Sequence, residues 1–132
     1  MSYGDLEWPD AEQVMCDLLA DLGHTCTSVP VGEDGKFDLS KLPILLINRV
    51  GGGNDGFNDR PVIDVEVFSH TRRESMQISG QVRRRVLNSA GTAPGGVLID
   101  HAREVTGIKR VPDIDPQNRA VLASYGLTFR PL

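Results

Sequence analysis

Asp59, Asp64 and Glu66 come nearest in this chain to a reaction centre by type and spacing. Asp64 and Glu66 stand two apart in Val62-Ile63-Asp64-Val65-Glu66-Val67-Phe68. On a strand, residues two apart share a face, so both carboxylates point the same way. Hard divalent cations prefer such oxygen ligands, and with Asp59 upstream the trio has the donors of a small metal-dependent nuclease. The lysine that such a site places at a nearby strand position is absent, and acids on a solvated sheet face give the same pattern without any chemistry.

The other reactive-looking patterns lack a partner. Gly51-Gly52-Gly53-Asn54-Asp55-Gly56-Phe57 suggests a phosphate loop, but no Lys or Ser/Thr follows Gly56 and the segment leads into a strand rather than a helix N-terminus. Its glycines, with Asn and Asp, instead predict a mobile hairpin tip running to Asp59. His24, His70 and His101 are scattered, and no serine sits in a G-x-S-x-G elbow. Cys16 and Cys26, even with His24 close by, form no C-x-x-C pair, so two free thiols are expected, with no metal and no cofactor. Arg83-Arg84-Arg85, with Arg72 and Arg73, is the one basic concentration. It reads either as a solvated helix end that suits the dipole or as a docking surface for an acidic partner.

These residues belong to a chain of 132 residues with 39% hydrophobic and 24% charged side chains, which predicts one domain spanning 1–132. A net formal charge of −4 argues against clamping nucleic-acid phosphates with the whole surface. The longest apolar run, Pro43-Ile44-Leu45-Leu46-Ile47, is far short of the roughly 20 residues of a membrane span. Met1-Ser2-Tyr3-Gly4-Asp5 has no secretory character, so a cytoplasmic origin is expected.

Hydrophobic spacing then supplies the elements. Ala11, Val14, Met15, Leu18, Leu19 and Leu22 predict a helix from Trp8 to Gly23, with Asp10 near its cap and Gly23 ending it in a left-handed conformation. Strands are expected over His24–Val31, Ile44–Val50 and Val62–Phe68, with a turn at Asp34-Gly35. The second of these is apolar on both faces, which implies cover from both sides by helices or by a neighbouring subunit. Thr71-Arg72-Arg73-Glu74 has the spacing of a reciprocal capping box and opens a helix to about Asn88, with Ile78, Val82 and Val86 inward and Ser75 and Ser79 beside them. Strands over Val97–Val105 and Ala120–Arg130 follow, joined by a turn containing Pro112 and Pro116. In the last, Val121, Ala123, Tyr125, Leu127 and Phe129 share one face. The order predicts an α+β fold: a mixed or antiparallel sheet of about five strands, two helices packed against it, and projecting hairpin loops. Strand order stays open.

The N-terminal amphipathic helix, Leu46-Ile47-Asn48-Arg49-Val50-Gly51-Gly52-Gly53 and Val62–Phe68 followed by a capped helix together resemble the tail terminator, or tail completion, family of long-tailed bacteriophages. The strand Ala120–Arg130 fits the same plan. The resemblance implies a structural virion protein at the neck end of the tail, assembled in the host cytoplasm and without enzymatic activity. It implies a homo-hexameric ring that caps the tail tube, stops its polymerisation and offers a joining surface to the head-side connector or stopper. Genome DNA would pass through without specific binding, and no membrane would be involved. In that frame Gly51, Gly52, Gly53, Asn54, Asp55, Gly56 and Phe57 are candidates for contact with tube or connector. Asp64 and Glu66 are candidates for the channel wall, where like charge lets DNA slide. Arg72, Arg73, Arg83, Arg84 and Arg85 are candidates for docking a subunit or partner. A head-to-tail stopper or adaptor is the nearest alternative role, and the nuclease of Asp59, Asp64 and Glu66 the alternative from another class.

Overall fold

The computed structural model describes residues 6–36, 38–111 and 119–132; the turn expected around Pro112 and Pro116 lies outside them. The described residues form α1 (Ala11–Leu19), β1 (His24–Cys26), β2 (Ile44–Gly51), β3 (Val62–Phe68), α2 (Arg72–Leu87), β4 (His101–Arg110) and β5 (Val121–Thr128). The five strands make one mixed sheet of order β1-β2-β3-β5-β4. Only β1 and β2 are parallel; the other neighbours are antiparallel. The α+β expectation holds.

Both helices start where side chains can satisfy the first backbone N–H groups. Asp10 accepts from the Glu12 and Gln13 amides at 3.1 and 3.2 Å, and Thr71 Oγ1 accepts from the Glu74 amide at 3.1 Å. The Glu74 carboxylate accepts from Ser69 Oγ at 2.8 Å, so it ties the helix to the end of β3. α1 ends at Leu19, four residues before Gly23, and Gly23 does not have the left-handed φ expected of it. Close packing explains the glycine instead: a Cβ there would lie 2.5 Å from Leu45 Cδ1 and 2.8 Å from the Pro43 carbonyl oxygen.

Two strands differ by several residues from their sequence bounds, whereas β2 and β5 differ by one or two at their ends. β1 stops at Cys26 rather than Val31 because the following segment closes on itself, Asp38 N donating to Pro30 O at 3.0 Å and Gly32 N to Lys36 O at 2.8 Å. β4 runs from His101 to Arg110 rather than from Val97 to Val105. Gly95 and Gly96, at φ 61° and 87°, turn the chain first, and Ile99 pairs with Gly91 and Thr92 through bonds of 2.7 and 2.9 Å. These two bonds commit the segment around Ile99 to a local loop, and the strand begins only beyond it.

α1 and α2 cover the same face of the sheet. Val14, Met15 and Leu19 of α1 and Val82 and Val86 of α2 pack with Leu45, Ile47, Ile63, Val65, Val67, Val121, Ala123, Tyr125 and Leu127 in one core. The inward parity read for β3 and β5 is therefore correct. On the opposite face a smaller cluster of Ile44, Phe68 and Ala120 is joined by Leu42, Leu46 and Val111. The cover expected on both sides of β2 is thus met by helices on one side and by connecting segments near Ile44 on the other.

Candidate functional site

The helix-free face carries the acid pair. Glu66 lies between Leu46 of β2 and Leu122 of β5, and Asp64 between Asn48 and Ser124. Asp64 Oδ1 accepts from Ser124 Oγ at 2.5 Å. Glu66 is not on the solvated surface that the alternation suggested: the residue is 7% exposed and its Oε2 has no hydrogen-bond partner. Burial, and secondarily the Asp64 charge, push its carboxyl up to about 7, because an ionised group there has lost its water. The alternation correctly gave the face; burial depended on how far Leu46 and Leu122 reach, which spacing does not show. On the edge strand β4, Arg103 lies over Gly126 on this face, with its Nε 3.0 Å from where a Cβ would stand.

Asp59 does not join this pair. It is 3% exposed and receives Arg49 Nη1 and Nη2 at 3.1 Å each. Its backbone bridges to Phe129, N to O and O to N, both at 2.9 Å. Among the described residues no group of three His, Cys, Asp or Glu side chains is placed to hold a metal ion. The three carboxylates of the nuclease reading are not gathered into one such group: Asp59 is paired with Arg49, and Asp64 accepts from Ser124.

Arg49, which the sequence did not single out, organises the hairpin tip. Besides Asp59, its guanidinium donates to the carbonyls of Gly51 and Gly52 at 3.3 and 3.4 Å, while its amide donates to Glu12 of α1 at 2.9 Å. Asp55 accepts from the amides of Phe57 and Asn58 at 2.9 and 2.7 Å and from Arg60, which hold its carboxyl down to about 2. Asn54 accepts from the Gly56 amide at 2.8 Å. The expected mobile tip is therefore cross-braced. Gly52 has φ 91°, and a Cβ there would lie 2.0 Å from the Arg60 carbonyl oxygen, so only glycine fits. The brace presents Phe57 outward, 66% exposed.

The arginines divide. Arg83 forms an ion pair with Glu104 of β4 at 3.0 Å, and Arg85 binds Asp21 through both terminal nitrogens at 2.7 and 3.0 Å while donating to Leu18 O at 2.9 Å. These two tie α2 to the sheet edge and to the end of α1 within the subunit. Arg72, Arg73 and Arg84 are exposed. Successive helix positions rotate by about 100°, which sends neighbours in a triplet to different surroundings. The sequence lacked the signal for this sorting, since Asp21 and Glu104 are distant in the chain. Cys16 and Cys26 are free and half-buried, and burial raises both thiols, so neither is an activated nucleophile.

What remains is a set of candidate contact surfaces: a braced tip with an exposed aromatic ring, a helix-free sheet face with a buried acid, and the outward side of α2. No described helix is long and apolar enough to cross a membrane. No curated protein matches the chain. The family described as phage tail termination protein matches residues 7–132, from before α1 through β5. A match over nearly the whole chain, on the two-helix, five-strand architecture just described, shows that the chain belongs to the phage tail termination protein family.

Proposed function

We propose that the chain assembles as a homo-hexameric ring that caps the tail tube, ends its polymerisation and presents a joining surface to the head-side connector or stopper. Membership of a tail termination family makes it a structural component of the phage tail that interacts with tail and head-side proteins. The observation that carries the finer reading is the tip of residues 51–59. Arg49, Asp55 and Asp59 fix its backbone, and it exposes Phe57 rather than burying it. A preformed aromatic contact loses little entropy on docking and suits a partner that must be recognised at one stage of assembly. We assign residues Gly51 to Phe57 to contact with tube or connector.

The other surfaces then serve the ring itself. A closed ring uses a head-to-tail interface, which requires two different complementary patches on each subunit. The outward residues of α2, including Arg72, Arg73 and Arg84, are one candidate. The resemblance makes Asp64 and Glu66 candidates for the channel wall; because Glu66 is buried and has an unpartnered oxygen, we assign the pair to a contact between subunits instead. Genome DNA then passes without specific binding, and assembly takes place in the host cytoplasm before the tail joins the head.

The test is the exposed residue. Phe57→Glu leaves the side chains of Arg49, Asp55 and Asp59 that brace the tip in place, so the purified chain should keep its melting temperature. It should also fail to yield joined particles when supplied to a phage lacking its own copy. Normal yields of joined particles would remove the tip from the joining surface.

A further inference from the structure

Two buried carboxylates in this chain meet opposite fates. Asp59 has Arg49 on both oxygens, whereas Glu66 Oε2 has no partner and the residue is only 7% exposed. Leaving a buried polar group unpaired is costly, and a charged one more so. Ser79 Oγ and Tyr125 Oη are also unpaired, but these are neutral hydroxyls, and Arg83 Nε, which makes no well-directed hydrogen bond either, still lies 3.0 Å from the Glu104 carboxylate; among the described residues Glu66 is the buried acid with an oxygen that has no partner. It lies on the face of the sheet that neither helix covers, flanked by the half-buried Leu46 and Leu122 and two residues from Asp64.

α2 carries the complementary anomaly on the opposite side of the subunit. Ser75, Ser79, Val82 and Val86 face the core, and the other side of the helix presents Arg73, Met76, Gly80, Arg84 and Leu87 at helical spacing. Met76 is 44% and Leu87 40% exposed, an apolar content that water does not favour. Gly80 sits between them in the middle of a 16-residue helix, and a Cβ there would meet nothing within 4 Å. Within the subunit nothing requires glycine at this position, where alanine is the better helix former. Close approach of another backbone would require it.

We infer that the Arg73–Leu87 side of α2 in one copy packs across the open sheet face of the next, bringing Arg73 or Arg84 to the Asp64–Glu66 pair. The inference rests on the ring reading above and specifies its interface. The two patches lie on opposite layers of the subunit, as a head-to-tail contact demands. They match in apolar content, Met76 and Leu87 against Leu46 and Leu122, and the Asp64–Glu66 pair on the central strand offers carboxylates to Arg73 and Arg84, while the face's own cation, Arg103, stands over Gly126 at the β4 edge. Each sheet would then have helices on both faces, one pair its own and one helix from its neighbour. The guanidinium would give Glu66 the partner its own chain withholds.

The experiment uses the full chain, by native mass spectrometry across concentration and in the presence of tail tubes. The double variant Arg73→Glu, Arg84→Glu alters exposed positions, so its circular dichroism and melting temperature should match the parent, while the concentration of half-assembly should rise at least tenfold. Glu66→Gln, which keeps the side-chain shape, should raise it by a smaller factor. In a background with Cys16→Ser and Cys26→Ser, a chain carrying both Met76→Cys and Leu122→Cys should form covalent multimers under mild oxidation, and neither single variant should. A ring that survives the two glutamates and gives no cross-link overturns this interface and leaves the ring standing. A parent chain that forms no ring at any concentration, and none on tail tubes, overturns the ring reading and the interface with it.

Discussion

The two faces of the central sheet are built from the same strands and behave as different materials. Under the helices, Leu45, Ile47, Ile63, Val65, Val67, Val121, Ala123, Tyr125 and Leu127 are at most 1% exposed, and the side chains of α1 and α2 close over them. One residue along each strand, the other face holds Leu46, Asn48, Asp64, Glu66, Leu122 and Ser124, with a carboxyl buried and unpaired. The first face is complete within the chain. The second is partly dry and partly polar, the composition on which the interface proposed above rests.

Neighbouring residues can break that comparison. The largest effect should come from Ile47→Ala, which opens a cavity beneath the helices and should cost about 2–5 kcal/mol in urea unfolding. Leu46→Ala, one residue away on the open face, should cost the isolated subunit less than half as much. Equal losses would show that both faces carry the fold. Next, Arg49→Ala leaves Asp59 buried without its cation; discounted for the partial exposure of the arginine, the loss should be about 2 kcal/mol, read from the urea midpoint. A smaller change would mean that water replaces the guanidinium and that the tip is not held by the pair.

The pH dependence sharpens the contrast. Glu66 is raised in the folded subunit from an ordinary 4.5 to about 7. The unfolded chain therefore ionises first. The stability associated with the protonated carboxyl is complete below about pH 4.5 and is lost as pH rises through about 7. Glu66→Gln should flatten this part of the melting profile and stabilise the isolated subunit at pH 8 by about 1–2 kcal/mol. An unchanged profile would show that Glu66 is hydrated in solution. The smallest effect is expected at Gly80→Ala, which should stabilise the isolated subunit by about 0.5–1 kcal/mol through helix propensity. The same change should weaken ring assembly if another chain approaches there. Stabilisation of the ring as well would remove the reason offered for the glycine.

Much of the fold was legible because its signals are local. Asp10 and Thr71 as caps, Ser75 and Ser79 facing inward, and the inward parity of β3 and β5 follow from hydrogen-bond reach and from periods of 3.6 and 2 residues. The site was legible only in part. The sequence marks Asp64 and Glu66 as sharing a face and the tip as glycine-rich. It does not mark Arg49 as the brace of that tip, nor separate Arg83 and Arg85, held inside the subunit, from Arg84, exposed beside them. Each of those roles depends on a partner more than 9 residues away, Asp59, Glu104 or Asp21.

By itself, then, the sequence determined the class of fold, the two capped helices, the faces of β3 and β5 and a family resemblance that the match over residues 7–132 bears out. Backbone geometry and side-chain spacing act over a few residues, and one sequence displays them directly. Only the tertiary structure decided that β5 enters between β3 and β4, that both helices choose one face, and that Glu66 is buried on the other. Those outcomes depend on which distant surfaces exclude water together, and no local pattern encodes that.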